Sequence, residues 1–410
     1  MDRTQIPVVV VGGTLNGLGV VRSLACAGMP IFLVETSRSC PAVWSRFCHF
    51  VRVPSLEGHQ LVQSLIQLSS RIGRCAVLIL TEDPSVEAVS AFRNELSSHF
   101  LFSLPSIETL PTLADKALFQ HYAEQQEFPV PRAVVLASKT DIPLLQHLTT
   151  PLVLKPADKK AALNGLVERA ARAETLEQAR DIADQMLNRT REVIAQEWIE
   201  GPDSEIYFSM FVCDKQSRVA ALFSGRKIVC DPPLIGTTAV CVEAEEPAQE
   251  LARLTLQFIN RTAYQGIGSL EYKRDLRTGR FMIVEPTVGR TDWQEEIATL
   301  CGTNIPLISY WTELGSSLED KLPPLPGQLA WRSSIAHRLP VGMLKKRTRV
   351  VDGYFRISDP LPGMYHYCYE RFCARIWHRV TRSYRALGTS MSVIRGSCGR
   401  VKKAGSEKVT

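Results

Sequence analysis

The chain has 410 residues, 45% of them hydrophobic, 22% charged and 8% aromatic, an ordinary globular composition long enough for two or three domains with substantial cores. These proportions exclude overall disorder and the collagen-like, coiled-coil and disulfide-scaffold classes. Lysine and arginine number 48 against 42 acidic residues, a net charge of +6, and that average says little about partners.

Met1-Asp2-Arg3-Thr4 leads straight into the apolar run Ile6 to Val11. The run is too short and too poorly flanked for a signal peptide and reads as a first strand. No stretch reaches the roughly 18 apolar residues of a membrane span. The eleven cysteines include no CxxC pair and read as reduced, buried thiols. A soluble cytoplasmic protein is expected, with peripheral membrane contact left open.

Val8–Val11, Ile31–Val34 and Ala76–Leu80 are buried-strand runs, and Leu18 to Ala27 has a helical apolar pattern. This βαβ rhythm predicts a parallel sheet over the first 110 residues. Between the first strand and helix lies Val11-Gly12-Gly13-Thr14-Leu15-Asn16-Gly17-Leu18-Gly19. Such a turn can offer backbone N–H groups to an anion, and Glu35 stands where a dinucleotide ribose would be met. The dinucleotide fingerprint fails at its centre, where Thr14 replaces the glycine that admits a pyrophosphate. A small-substrate site and a purely structural turn remain the other readings.

Thr112-Leu113-Ala114-Asp115 resembles a capping box opening a helix to about Gln126, which Phe128-Pro129-Val130-Pro131 ends. A short strand at Leu152–Leu154 precedes Lys155-Pro156. Thr175 and Gln178 open a second capped helix to about Leu187, with Leu176, Ala179, Ile182, Ala183 and Met186 on its apolar side. Strands dominate from Val193 to Val242, and Leu251–Ile259 is helical. Two strands follow, Ile267–Lys273 and Phe281–Glu285, then an apolar helix after Gly302 and a break at Pro323, Pro324 and Pro326.

Strict alternation puts Ser269, Glu271 and Lys273 on one face of their strand, and Phe281, Ile283 and Glu285 on one face of the next. Both glutamates lie seven residues from Thr278, so a symmetric hairpin would set them opposite each other. Facing like charges destabilise a sheet unless something compensates. A divalent cation would do so, since Mg²⁺ typically takes one or two carboxylates and shares the phosphates of its nucleotide. The plainer reading is a surface hairpin whose glutamates pair with Lys273 or Arg274.

In order, Asp115-Lys116, Leu154-Lys155-Pro156, Gln196-Glu197-Trp198-Ile199-Glu200-Gly201-Pro202, Gly225-Arg226-Lys227, Leu270-Glu271-Tyr272-Lys273 and Val284-Glu285-Pro286-Thr287 resemble the motifs of the ATP-grasp superfamily. The likeness extends to about residue 315. It is nearest to carboxylate–amine ligases of the carbamoyl-phosphate synthase and D-aspartate ligase kind. The resemblance implies an α/β and α+β chain: a pre-ATP-grasp parallel βαβ domain (1–110), a two-subdomain ATP-grasp fold (111–320) and a basic C-terminal extension (321–410).

The same resemblance implies site roles. Lys116 and Lys155 match lysines that neutralise nucleotide phosphates, and the backbone of Gln196, Glu197, Trp198 and Ile199 matches an adenine-reading hinge. Glu205 or Asp203 matches a ribose-binding carboxylate. Lys227, with Arg226, matches a cation on the γ-phosphate side. Glu271 and Glu285 match the acids that hold Mg²⁺ (or Mn²⁺), joined by Thr287. Arg290 matches an arginine that steadies the transferring phosphate or the tetrahedral intermediate. Three features depart from the family pattern: Thr287 stands where asparagine is usual, Arg290 lies one residue further on, and the phosphate-covering segment Ala157–Leu166 has Gly165 as its one glycine.

The implied reaction joins a small carboxylate to an amine, or a thiol, through an acyl phosphate formed from ATP. The alternatives are a weak or inactive ATP-binding regulator of the same fold and an NAD(P)-dependent oxidoreductase built on the N-terminal turn. Residues 331–410 carry 17 lysines and arginines against four acidic residues, leaving −7 for the rest of the chain. Around Tyr369–Tyr384 the basic and aromatic residues suggest an amphipathic helix suited to an anionic membrane surface. A helix packed on the core with a solvated basic face accounts for the same pattern, and no nucleic-acid module accompanies it.

Overall fold

The computed structural model describes residues 6–157, 168, 170–316, 328–339, 342–345 and 347–370. The expected phosphate-covering segment beyond Ala157, the prolines at 323–326 and the Tyr369–Tyr384 helix therefore lie essentially outside the described residues.

Five strands, β1 (Val8–Val11), β2 (Ile31–Glu35), β3 (His49–Arg52), β4 (Ala76–Leu80) and β5 (Phe100–Leu101), form a sheet in the order β3-β2-β1-β4-β5. Every pairing in it is parallel. Helices cover both faces, so β1 and β4 are apolar and buried along their whole length, as central parallel strands must be. The carboxyl ends of these strands, where such sheets present their functional loops, carry Gly12 and the segment Thr81 to Asp83.

A second sheet is antiparallel, in the order β6-β9-β7-β8, from Ala133–Leu136, Leu152–Pro156, Ala171–Ala173 and Val193–Glu197, numbered β6 to β9 in chain order. The helix Leu176–Leu187 lies on it through Ala179, Ala183 and Met186, its Thr175 hydroxyl accepting from Gln178 N. That cap and that apolar stripe match the sequence expectation.

The third sheet orders β14-β13-β10-β11-β12-β15-β16. Its strands are β10 (Ile206–Cys213), β11 (Val219–Asp231), β12 (Thr237–Glu243), β13 (Gly266–Arg274), β14 (Phe281–Val288), β15 (Leu329–Arg332) and β16 (Arg349–Asp352). The amphipathic helix Ala248–Thr262 buries Leu251, Leu254, Phe258 and Ile259 against Leu270, Tyr272, Phe281 and Ile283 of this sheet. One core thereby joins the first and third sheets.

Two expectations need correction. The helix expected from Thr112 to Gln126 is two helices, Thr109–Ala114 and Lys116–Gln125. Asp115 is extended between them because its carboxylate accepts from Ala117 N and Leu118 N at 2.9 Å each; Thr112 lies inside the first helix and bonds back to Glu108 O. The second correction concerns β14. Arg274 pairs with Phe281 and Tyr272 with Ile283, but Glu271 pairs with Glu285. Val284 is an extra residue, a β-bulge that reverses the alternation. Phe281 and Ile283 stay in the core while Glu285 turns to the opposite face.

The segment after β16 is tied to the first helix, Leu15–Ala25. Arg22 donates to Gly353 O and Tyr354 O at 2.7 Å and to Asp359 Oδ2 at 3.0 Å. Asp359, 1% exposed, also accepts from the Ser45 hydroxyl and Arg46 N. Removing the cation would strand a buried carboxylate. Arg22→Ala is expected to lower unfolding free energy by about 3–5 kcal/mol and to speed amide exchange over 353–359; unchanged exchange there would refute the strap.

Candidate active site

A cleft of about 850 Å³ opens between the second and third sheets and reaches the carboxyl end of β4 through Asp83. Its walls include Lys116, Lys155, Gln196, Glu197, Trp198, Ile199, Lys227, Glu271, Glu285, Thr287 and Arg290. From Asp83 to Arg290, residues spread over 208 positions of sequence meet there. Asp203, Glu205 and Arg226 are not among the wall residues.

Each wall residue is positioned by a local cause. Lys155 is near the end of β7, next to β9, and donates to Gln196 Oε1 at 3.2 Å. Gln196 in turn donates to Gln120 Oε1 at 2.9 Å, which fixes its amide. Burial, then the neighbouring Lys116 ammonium, pushes Lys155 down to about 8, against the pull of Glu285 and Glu271. Lys116 begins the helix capped by Asp115 and lies 3.9 Å from Glu285 Oε2.

Glu271 and Glu285 face each other across β13 and β14, with Ser269 opposite Thr287 one step further. Lys227 of β11 is buried and donates to Glu271. Burial is the largest influence and works against its charge, but Glu271, helped by Cys230 and Asp292, raises its pKa on balance. Alternation along β11 sends Arg226 to the other side, where it binds Ser204 O at 2.5 Å and Glu205 at 3.3 Å. Glu205 also takes Arg274 at 2.6 Å. Asp203 accepts from Cys230 N and Leu234 N at 2.8 and 2.7 Å. Both candidate ribose carboxylates are thus engaged by the protein itself, Asp203 as a clamp on the cleft-lining turn from Asp231 to Thr237.

Arg290 donates to both Asp83 carboxylate oxygens, at 2.5 and 3.3 Å. Burial, the largest influence, opposes its charge, and Asp83 together with Asp292 and Glu285 raises its pKa on balance. The next residue, Thr291, exchanges hydrogen bonds with Asn16 at the start of the first helix. Arg290 is therefore held between the first sheet and the third.

Sequence reasoning missed several wall residues. Asp292 accepts from Ser269 Oγ and Gln294 Nε2 at 3.0 Å each, and no sequence pattern announces it. Lys273 could have been found, since alternation puts it on the Glu271 face. It is 5% exposed, and its ammonium lies 4.0 Å from the Trp198 ring centre, with Arg172 at 4.5 Å from the same ring. Among the described residues it has no carboxylate or carbonyl acceptor within bonding distance. Burial, which outweighs the pull of Asp203, lowers its pKa.

The glycine-rich turn near the N-terminus is a different matter. Gly13 N donates to Glu35 Oε2 at 2.8 Å, and Glu35 is 3% exposed. Gly12 has φ +100°, and a Cβ there would sit 2.3 Å from Thr81 Oγ1. The turn's anion is the chain's own glutamate, and its glycine answers a packing need.

The metal donors at the glutamate pair would be two carboxylates and the Thr287 hydroxyl. Among the described residues no group of three or more His, Cys, Asp or Glu is gathered for an ion. Such a partial set of hard oxygen donors fits Mg²⁺, which keeps water and shares phosphates, better than a caged metal.

No family model matches the chain. It is 22% identical over 323 residues to D-aspartate ligase of Enterococcus faecium (strain Aus0004), covering 74% of this chain and 76% of that one. Its fold is similar to N5-carboxyaminoimidazole synthetase from Staphylococcus aureus complexed with ADP, with a TM-score of 0.61, 12% identity and coverage of 78% and 80%. It is likewise similar to the biotin carboxylase domain of Hydrogenobacter thermophilus 2-oxoglutarate carboxylase, in complex with MgADP, ADP and bicarbonate. There the TM-score is 0.60 at 12% identity, over 77% of this chain and 71% of that one. With a parallel sheet leading into two antiparallel sheets that close on a lysine- and glutamate-lined cleft, the chain has the ATP-grasp fold of these structures.

Proposed function

We propose that the chain is a Mg-ATP-dependent ligase that activates a small carboxylate as an acyl phosphate and passes it to an amine, or to a thiol. The observation that carries this reading is the convergence of Glu271, Glu285, Lys116, Lys155, Lys227 and Arg290 on one cleft beside the Trp198 hinge. Four cations and two acids in a partly enclosed space suit a triphosphate with its metal ion. A dinucleotide oxidoreductase loses its support, because Glu35 is occupied by its own turn.

In this reading the base lies against the hinge. Glu197 N and Trp198 N are bonded to Arg132 O and Pro151 O, whereas Ile199 N has no acceptor among the described residues and can donate to adenine. Lys116 and Lys155 neutralise the phosphates, and Lys227 and Arg290 meet charge at the transferring group. Mg²⁺ on Glu271, Glu285 and Thr287 would supply the largest charge neutralisation. The substrate carboxylate oxygen bonds to the γ-phosphorus while the bond to the β,γ-bridging oxygen breaks, releasing ADP. The amine then bonds to the acyl carbon, loses a proton, and phosphate leaves. Carboxylates are weak nucleophiles, so the protein's contribution is positioning and charge rather than a nucleophilic side chain.

Lys273 joins this machinery as a positioning residue. Two residues from Glu271 on the same face, and against the hinge tryptophan, it is placed to donate to the ribose or the α-phosphate in place of the occupied carboxylates. Lys273→Met is expected to raise the KM for ATP roughly ten-fold with kcat little changed, a loss of one charge-assisted bond. Lys273→Arg should recover part of it. An unchanged KM would remove Lys273 from the site.

The reading as a whole is tested by ADP release from Mg-ATP with panels of carboxylates and amines. Release that needs both partners supports the ligase. A catalytically weak nucleotide-binding regulator is the second reading, favoured by Thr287 in place of an amide ligand; Mg-ATP binding without turnover in any mixture would establish it.

A further inference from the structure

Behind the cleft wall, Lys155 is held by a chain of two buried amides. The outer one belongs to Gln120, 3% exposed on the helix Lys116–Gln125, and the inner one to Gln196, 6% exposed on β9. Gln120 Nε2 donates to Pro131 O at 3.0 Å and to Glu124 Oε1 at 2.7 Å. A backbone carbonyl can only accept, so this amide must turn its nitrogen to Pro131 and its oxygen the other way. That oxygen accepts from Gln196 Nε2 at 2.9 Å, which leaves Gln196 Oε1 to accept from Lys155 Nζ at 3.2 Å.

Reversing either amide would set oxygen against oxygen, or N–H groups against an ammonium. The direction felt at Lys155 is therefore imposed by Pro131 O, on the far side of Gln120. Among the described residues Gln196 Oε1 is the one hydrogen-bond acceptor of Lys155. Its charged neighbours, Lys116 and Lys273, which repel it, and Glu285 and Glu271, which attract it, act through charge and make no hydrogen bond to it. Neutral amides suit the task. A carboxylate at the Gln196 position would cancel the lysine's charge. An amide oxygen takes one ammonium N–H and leaves the charge and the other two donors for phosphate. Gln120 and Lys116 are four positions apart on one helix and so lie on the same side of it. One reaches the cleft directly and the other through Gln196.

We infer that Gln120 is a positioning residue for the nucleotide site, acting through Gln196 to hold the Lys155 ammonium toward the phosphates. Its purpose rests on the Mg-ATP reading of the cleft; the polarity of the amide chain does not.

The test substitutes Gln120→Met, which keeps the length of the side chain and removes its amide. Gln196 is then free to turn, and Lys155 loses the acceptor that favours its charged form. Competitive acetylation at about pH 8, read peptide by peptide by mass spectrometry, is expected to modify Lys155 about three-fold faster than in the wild type. Mg-ATP affinity, read by titration calorimetry, is expected to fall roughly five-fold. A glutamine kept only for structure would cost stability and leave acetylation unmoved. Adding Gln196→Glu to the variant tests the route: a carboxylate offers an acceptor oxygen whichever way it turns, so acetylation should return to the wild-type rate or below. An unchanged acetylation rate or affinity in Gln120→Met, or a fast rate that Gln196→Glu does not restore, overturns the proposal. If Gln120→Met does not fold, Gln120→Glu decides, being isosteric and still an acceptor toward Gln196. Acetylation at or below the wild-type rate then supports the chain of amides, and faster acetylation overturns it. Acetylation needs no nucleotide, so these outcomes stand apart from failure of the ligase reading, which a wild type that does not bind Mg-ATP would show.

Discussion

Glu285→Gln is expected to lower kcat/KM roughly 10²–10³-fold, the scale of losing one preorganised electrostatic group at a phosphoryl centre. Part of the loss should return as Mg²⁺ is raised, because a weaker ligand set fills at higher metal concentration. Stability should move the other way. Glu271 and Glu285 are directly opposed, and facing like charges destabilise a sheet. Relieving that opposition should leave the unfolding midpoint unchanged or slightly raised. A residue kept for structure would show the reverse: lost stability and intact turnover. Glutamine preserves shape and the register is set by backbone bonds, so full activity in a folded Glu285→Gln protein would remove the metal assignment.

Lys155 gives the second large effect and carries a pH signature. Lys155→Met is expected to weaken Mg-ATP binding roughly 100-fold, in the range of a charge-assisted bond lost at a buried site. In the wild type burial holds this ammonium near 8. The protonated form is the one that attracts phosphate, so nucleotide affinity should fall as pH rises through about 8. Bound phosphate must by linkage raise the lysine's pKa. Binding should therefore take up protons, most strongly just above pH 8, and titration calorimetry in buffers of different ionisation enthalpy reads that uptake directly. Proton release on binding, or an uptake that Lys155→Met retains, would contradict the assignment.

Much of this architecture is legible in the sequence because it is local. Val8–Val11 and Ala76–Leu80 are unbroken apolar runs, and they are the central strands of the parallel sheet. Thr175 announces its cap by residue type alone. The opposition of Glu271 and Glu285 followed from symmetry about Thr278, but for an incomplete reason. The hairpin begins in a register that would have missed the pair, and the bulge at Val284 corrects it. No periodicity reveals one extra residue, which is why Phe281, Ile283 and Glu285 were expected on a single face and are not.

What the sequence hides is set by distant partners. Asp203 and Glu205 look like free carboxylates until Arg226 and Arg274 close on one and the backbone of Cys230 and Leu234 on the other. Arg290 is oriented by Asp83, 207 positions earlier. The bond from Arg22 to Asp359 spans 337 positions. Such pairings depend on how three sheets close around one cleft, which no local pattern encodes. Lys273 lies between these cases: its face was legible, and its burial against Trp198 needed the fold.

The acyl phosphate is the central claim, and oxygen transfer tests it most directly. A carboxylate that drives ADP release is supplied with both oxygens as ¹⁸O, together with Mg-ATP and the amine, and the phosphate formed is weighed by mass spectrometry. Attack of the carboxylate on the γ-phosphorus leaves one ¹⁸O in each phosphate released. Phosphate free of label, formed at the same rate as ADP, would mean that water is the nucleophile and would contradict the ligase account.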